Sequence, residues 1–180
     1  NSPTDNVIYV QFADTKEVAT FYMGELGIIG ENVSAILNDV IYNDKKQNIT
    51  NIKYEYDNQT LDVGIKYNST DSSYTYTKDG STVSNEDDIS NLNILTDASL
   101  QISLYKMDLN AVPNGEPTFT ITYTRNYEPN TYKLEFIPTD EDSKYYYVKM
   151  NGEYFGCIVR NRILISDNGV IKLLKDELSK

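Results

Sequence analysis

Carboxylates and phenols are the side chains present in numbers sufficient to do chemistry. The 180 residues hold 27 acids and 16 tyrosines but no histidine. Losing histidine removes the commonest general base and metal ligand. Ser–His–Asp and Cys–His catalysis are therefore excluded within this chain. Cys157 is the one cysteine, so no intrachain disulfide can form. It stands in the apolar run Tyr154-Phe155-Gly156-Cys157-Ile158-Val159, which suits a buried thiol. Asp140-Glu141-Asp142 offers oxygen ligands but lacks the spacing and the bend glycine of a calcium loop, and reads as a solvated turn. Glu86-Asp87-Asp88 reads as the N-terminal charge of a helix, and Asp167-Asn168-Gly169 as a turn or cap. A glycosidase-type pair would be distant in sequence. With 27 acids some pairs arise by accident, so a carboxylate hydrolase is the least favoured reading. No catalytic residue, cofactor or metal ligand is assigned.

Tyrosine carries more information. Tyr145, Tyr147 and Lys149 share one face of a strand pattern, and Tyr9 beside Gln11 holds the matching place near the N-terminus. Tyr74 and Tyr76 hold the parallel place in the middle of the chain. Tyrosine is apolar with a polar rim, so an exposed row can stack on sugars or form a protein interface. Packed within the sheets, the same rings would stabilise cross-strand pairs by roughly 0.2–1 kcal/mol each. The candidate interaction surface is Tyr9, Tyr74, Tyr76, Tyr145, Tyr147 and Lys149, and exposure decides between the two uses. Asn-x-Ser/Thr triplets at Asn32, Asn48, Asn58 and Asn68 follow from an Asn-rich composition and are not read as glycosylation sites.

Strands must position these residues. Period-two alternation runs through Ile8–Phe12, Ile52–Tyr56, Leu61–Tyr67, Phe119–Tyr123, Tyr132–Phe136 and Tyr146–Met150. Each has one apolar and one polar face, as in antiparallel sheets. Asn151-Gly152, Lys78-Asp79-Gly80-Ser81 and Asp57-Asn58-Gln59 are turn signals between them. Helical spacing appears at Val33, Ile36, Leu37, Val40 and Ile41, and again at Val170, Leu173, Leu174 and Leu178 with Ser166 or Asp167 as cap. Ser84-Asn85-Glu86-Asp87 looks like another helix start, followed weakly by Ile89, Leu92 and Leu95. Residues 98–107 fit either strand or helix.

The net charge of −11 and pI near 4.4 argue against nucleic acid and against electrostatic attachment to anionic lipid. No run approaches the roughly 20 apolar residues of a membrane-spanning helix. The opening Asn1-Ser2-Pro3-Thr4-Asp5 reads as a trimmed start, with a leader or anchor upstream. The abundance of Asn, Asp, Ser, Thr and Tyr suits an exported bacterial domain.

The expected fold is α+β, with antiparallel β-sheets each covered by helices and built from repeated strand-hairpin-helix units. Tyr9-Val10-Gln11-Phe12 echoes Tyr147-Val148-Lys149-Met150, and Asp71–Lys78 echoes Asp142–Lys149. Residues 1–45 then form the C-terminal part of a first ββα unit. Residues 46–112 form a second β-rich unit with a helix near 86–97. Residues 113–180 form a third, ending in a helix at 168–178. Together they make one compact domain or two closely packed ones. In this order the pieces resemble a bacterial envelope family, the domain-of-unknown-function family 4340. The matching segments are Ile49–Tyr67, Tyr74–Gly80, Glu86–Leu95, Val112–Pro117, Phe119–Phe136 and Tyr146–Val159. Met107-Asp108-Leu109 stands where that family has aromatic-Gly-Leu, and Pro138 where it has Gly. The resemblance implies an extracytoplasmic, membrane-anchored protein accessory to ABC transporter subunits, and carries over no site residue. The expected function is a non-enzymatic module that binds a protein partner at the cell envelope. The alternative is a carbohydrate- or peptidoglycan-binding domain using the tyrosine-rich strand faces.

Overall fold

The structure of the protein, a computed structural model, describes residues 7–11, 18–22, 40–42, 44–139 and 144–180. The chain divides into two compact units, Asn1–Asn38 and Asp39–Lys180. In the first, β1 (Val7–Gln11) and β2 (Val18–Tyr22) pair antiparallel, with Tyr9 opposite Thr20. The apolar stretch 26–29 and the expected helix positions 33–39 lie outside the described residues. Val40 and Ile41 do not continue a helix. Val40 bridges antiparallel to Ser103, and the Ile41 amide donates to the Ile102 carbonyl at 3.0 Å. Both are β-branched, and a neighbouring extended segment satisfies their backbone.

The second unit is built on one antiparallel sheet. In chain order its elements are β3 (Ile49–Tyr56), β4 (Gln59–Asn68), β5 (Ser73–Lys78), β6 (Ser81–Thr82), α1 (Glu86–Leu100) and β7 (Lys106–Met107). There follow β8 (Phe119–Arg125), β9 (Thr131–Pro138), β10 (Tyr145–Met150), β11 (Glu153–Arg160), α2 (Asn161–Ile165) and α3 (Val170–Leu178). The nine described strands lie in the order β6-β5-β4-β3-β8-β9-β10-β11-β7. Strands from 46–112 and from 113–180 thus share one sheet, through the β3–β8 and β7–β11 pairs. All three turn signals close hairpins with positive φ at both central residues: Asp57 and Asn58 (51° and 59°), Asp79 and Gly80 (49° and 81°), Asn151 and Gly152 (51° and 85°). That backbone hand matches the twist of the strands it joins.

Alternation delivers the core. Ile52, Tyr54, Leu61, Val63, Ile121, Tyr123, Leu134, Phe136 and Val148 are fully buried, in one cluster with Leu92 and Leu95 of α1 and Val170, Ile171 and Leu174 of α3. Burying each such side chain contributes roughly 1.5–3 kcal/mol. The weak helical pattern of α1 has a physical reason, since Thr96 and Ser99 are buried polar residues on its inner side. Strand phenols reach that side. Tyr54 Oη lies 2.8 Å from Ser99 Oγ, which donates to the Leu95 carbonyl, and Tyr123 Oη donates to the Ser99 carbonyl at 2.7 Å. The Asn85 side chain caps α1, accepting from the amides of Asp87 and Asp88. The expected cap of α3 is corrected. Gly169, the last residue of the Asp167-Asn168-Gly169 turn, precedes it rather than Ser166 or Asp167, because a Cβ at Gly169 would stand 2.4 Å from the Leu164 carbonyl oxygen. Only glycine fits the tight passage from α2.

Ile137 and Ile158 are also buried but belong to the opposite face. Tyr147 of β10 stands between them, opposite Ile137 on β9 and Ile158 on β11. The segment after β7 closes over this region, where Tyr154 Oη donates to the Asp108 carbonyl at 3.0 Å. Among the described residues no helix is long and apolar enough to cross a membrane.

Candidate binding site

The chemistry of the molecule gathers where β10 begins and β11 ends. Tyr145 lies opposite Arg160, and the Asn161 amide donates to the Lys144 carbonyl at 2.9 Å as the chain turns into α2. Just ahead of β7, the Tyr105 amide donates to the Ile158 carbonyl at 2.8 Å, bringing its ring to the same corner. Tyr105 stacks on Tyr145 with centroids 5.2 Å apart and planes inclined by 13°. The Arg160 guanidinium lies 3.8 Å from the Tyr105 ring centre. Hydrogen bonding from Arg160, then from Tyr145, holds the Tyr105 phenol below its usual range.

Beside this stack opens a cleft of about 360 Å³ lined by Lys144, Tyr145, Arg160, Asn161, Arg162 and Ile165. Three of these are cations in a chain of net charge −11. Among the described residues, the lysines that pair with acids include Lys46, Lys53, Lys78, Lys133, Lys172 and Lys180, whereas Arg160 and Arg162 have no acidic partner. Asn161 adds a buried side-chain oxygen without a hydrogen-bond partner. A guanidinium has five donors in a planar fork that matches a carboxylate, and the Tyr105 phenol leaves most of those on Arg160 unused. Chemically the corner offers anion recognition beside an aromatic and aliphatic wall.

The tyrosines singled out from the sequence separate. Tyr145 lines the cleft, while Tyr147 is half-buried with its ring edge-on to Tyr154 at 5.5 Å. Lys149 is half-buried on the same face, opposite Glu135 and Tyr154. Tyr76 is 2% exposed, and its phenol donates to Asn93 Oδ1 of α1 at 2.8 Å. Tyr74 is half-buried, tilted against Tyr67 at 5.2 Å, with Lys46 Nζ 5.0 Å from its ring centre. Tyr76 is therefore removed from any interaction surface, and Tyr74 packs on the same core side. The residue of β10 on the core side is Tyr146. The echo between 71–78 and 142–149 thus aligns opposite faces, as a one-residue slip must. The Tyr9 side chain, like Asp140–Asp142, lies outside the described residues.

Sequence reasoning missed Tyr105, Arg160 and Arg162. The arginines carried a signal, since Arg160-Asn161-Arg162 concentrates two of the chain's three arginines at a strand end. Tyr105 fell in the ambiguous stretch and had none. Cys157 is 6% exposed with Sγ 3.9 Å from Met107 Sδ, and burial pushes its thiol up.

No family model matches the chain, and neither the curated proteins nor the solved structures provide a match.

Proposed function

We propose that the chain is a non-enzymatic binding module that docks a protein partner at the corner formed by Tyr105, Tyr145 and Arg160. The observation that carries this reading is the Arg160–Tyr105–Tyr145 stack beside a cleft with two arginines that meet no acid among the described residues. Tyr and Arg are enriched in the anchors of protein interfaces. The glycan reading is less well served, because Tyr74, Tyr76 and Tyr147 already spend their rings or phenols on contacts within the chain. Work outside the cytoplasm, anchored beside ABC transporter subunits, is the setting we propose from the resemblance read in the sequence. We also read 46–112 and 113–180 as two copies of one unit. The order β6-β5-β4-β3 on one side of the β3–β8 pair and β8-β9-β10-β11 on the other supports this, each meander being followed by a helix. In that reading α1 and α3 cover one face of the shared sheet, supported by their place in the single core cluster.

Site-specific photo-crosslinking in the protein's own cells tests the docking surface. A photoreactive residue at Tyr105 or Tyr145 should capture a discrete protein, and one at exposed Thr75 of β5 should not. Equal capture from both places, or none from the corner, would overturn the reading.

A further inference from the structure

We infer that the cleft between the β10–β11 end and α2 binds the C-terminal carboxylate of a peptide chain with an apolar final residue; this rests on the protein-docking reading above. Three observations carry it. First, Arg160 and Arg162 both line the cleft, and neither meets an acid among the described residues. With 27 acids to 16 bases in the chain, two arginines without acids in one cleft are not the result of a shortage of partners. Second, the stack on Tyr105 fixes the Arg160 guanidinium by its face. The in-plane N–H groups not given to the Tyr105 phenol remain for a two-oxygen acceptor, and the ordering cost is met before any ligand arrives. Third, beside Lys144 and Asn161 the wall has an apolar part, Tyr145 and half-exposed Ile165. A carboxylate on an Asp or Glu side chain brings no apolar body to that wall, whereas a terminal residue with an aliphatic side chain brings both groups at once. The volume of about 360 Å³ sits at the small end of ligand sites, which run roughly 300–1,000 Å³. An extended anionic surface fits poorly, because the net charge of −11 repels it beyond the local patch.

The test is titration of the full chain with acetyl-Gly-Gly-Leu as the free acid, as its C-terminal amide, and with 4-methylpentanoate as a free small carboxylate. Binding is followed by NMR shifts of labelled tyrosine rings. The acid peptide should bind with shifts at Tyr105 and Tyr145, and the amide should bind at least about tenfold more weakly, as expected on losing a charge-assisted hydrogen bond. Arg162→Gln should weaken the acid about tenfold by the same argument and leave the amide unchanged. Arg162 is exposed, so the fold should survive, and an unchanged circular dichroism spectrum checks this. Equal affinity for acid and amide would overturn the carboxylate assignment. Binding of 4-methylpentanoate as tight as that of the peptide would overturn the peptide source in favour of a small metabolite. No binding of any probe, with corner crosslinking to a protein intact, would overturn the carboxylate pocket alone. No binding together with no crosslinking would overturn the docking reading as well.

Discussion

Ser99 shows how single residues hold this structure. It serves two phenols, through its hydroxyl with Tyr54 and through its carbonyl with Tyr123. Ser99→Ala should leave a buried phenol unpaired and cost about 1–3 kcal/mol, whereas Tyr123→Phe removes one donor and should cost about 0.5–1.5 kcal/mol. Urea titration of both variants checks the order. Burial raises the Tyr54 and Tyr123 phenols above their usual value, and burial then the Asp44 charge raise Tyr42. The folded chain holds these protons after an unfolded one has released them. Their contribution is therefore complete below pH about 10, the ordinary tyrosine value, and is lost as pH climbs through the raised values. Alkaline titration should show phenolate absorbance and loss of circular dichroism rising together. Tyr105 has the opposite sign, its phenol held low by Arg160 first and Tyr145 second. Arg160→Gln should move its titration back up, readable by NMR of the labelled ring.

Turns and caps set the behaviour of the elements. Gly152 has φ of 85° in the β10–β11 turn, with open space where a Cβ would go. Gly152→Ala should cost only the left-handed backbone term, about 1–2 kcal/mol. Gly156 has φ of 89°, and a Cβ there would stand 2.7 Å from Leu109 Cδ2 and 3.1 Å from Met107 Cε. Gly156→Ala should therefore cost more and should loosen the segment from β7 onward, seen as faster amide exchange at Asp108, whose amide bonds to the Gly156 carbonyl. Asn85→Ala should weaken α1 by about 1 kcal/mol, the usual worth of a side-chain cap. Much at this scale was legible. Strand alternation, the three hairpin turns and the acidic start of α1 are local chemistry. The inner face of α1 was not legible, because Thr96 and Ser99 become core residues only when strand phenols reach them.

Charge acts over the whole molecule. A net charge of −11 repels itself in the folded state, while the cleft at Arg160 and Arg162 concentrates cations. Salt screens both, with a Debye length of about 10 Å at 0.1 M falling to about 3 Å at 1 M. Added salt should thus raise the thermal midpoint and weaken the acid peptide. Opposite signs in one series of melts and titrations would separate net repulsion from local attraction. The core cluster and the nine-stranded sheet come from residues after Asp39. A chain covering 39–180 should fold cooperatively by itself, with one coincident transition in fluorescence and circular dichroism.

Composition and spacing alone excluded histidine chemistry, set the acidic charge, and placed strands, turns and two helices, because each depends on side-chain type and near neighbours. They also put Tyr145, Tyr147 and Lys149 on one strand face. Which tyrosines reach the surface was decided elsewhere. β5 and β10 carry similar tyrosine runs, yet Tyr76 bonds to Asn93 of α1 and Lys46 lies over the Tyr74 and Tyr76 rings, while Tyr145 meets Tyr105 and a cleft. Alternation says that two faces differ, not which residues from elsewhere in the chain will meet each one. The corner likewise joins Tyr105, just ahead of β7, with Tyr145 of β10 and Arg160 of β11, a meeting fixed by strand order across the sheet and carried by no local pattern.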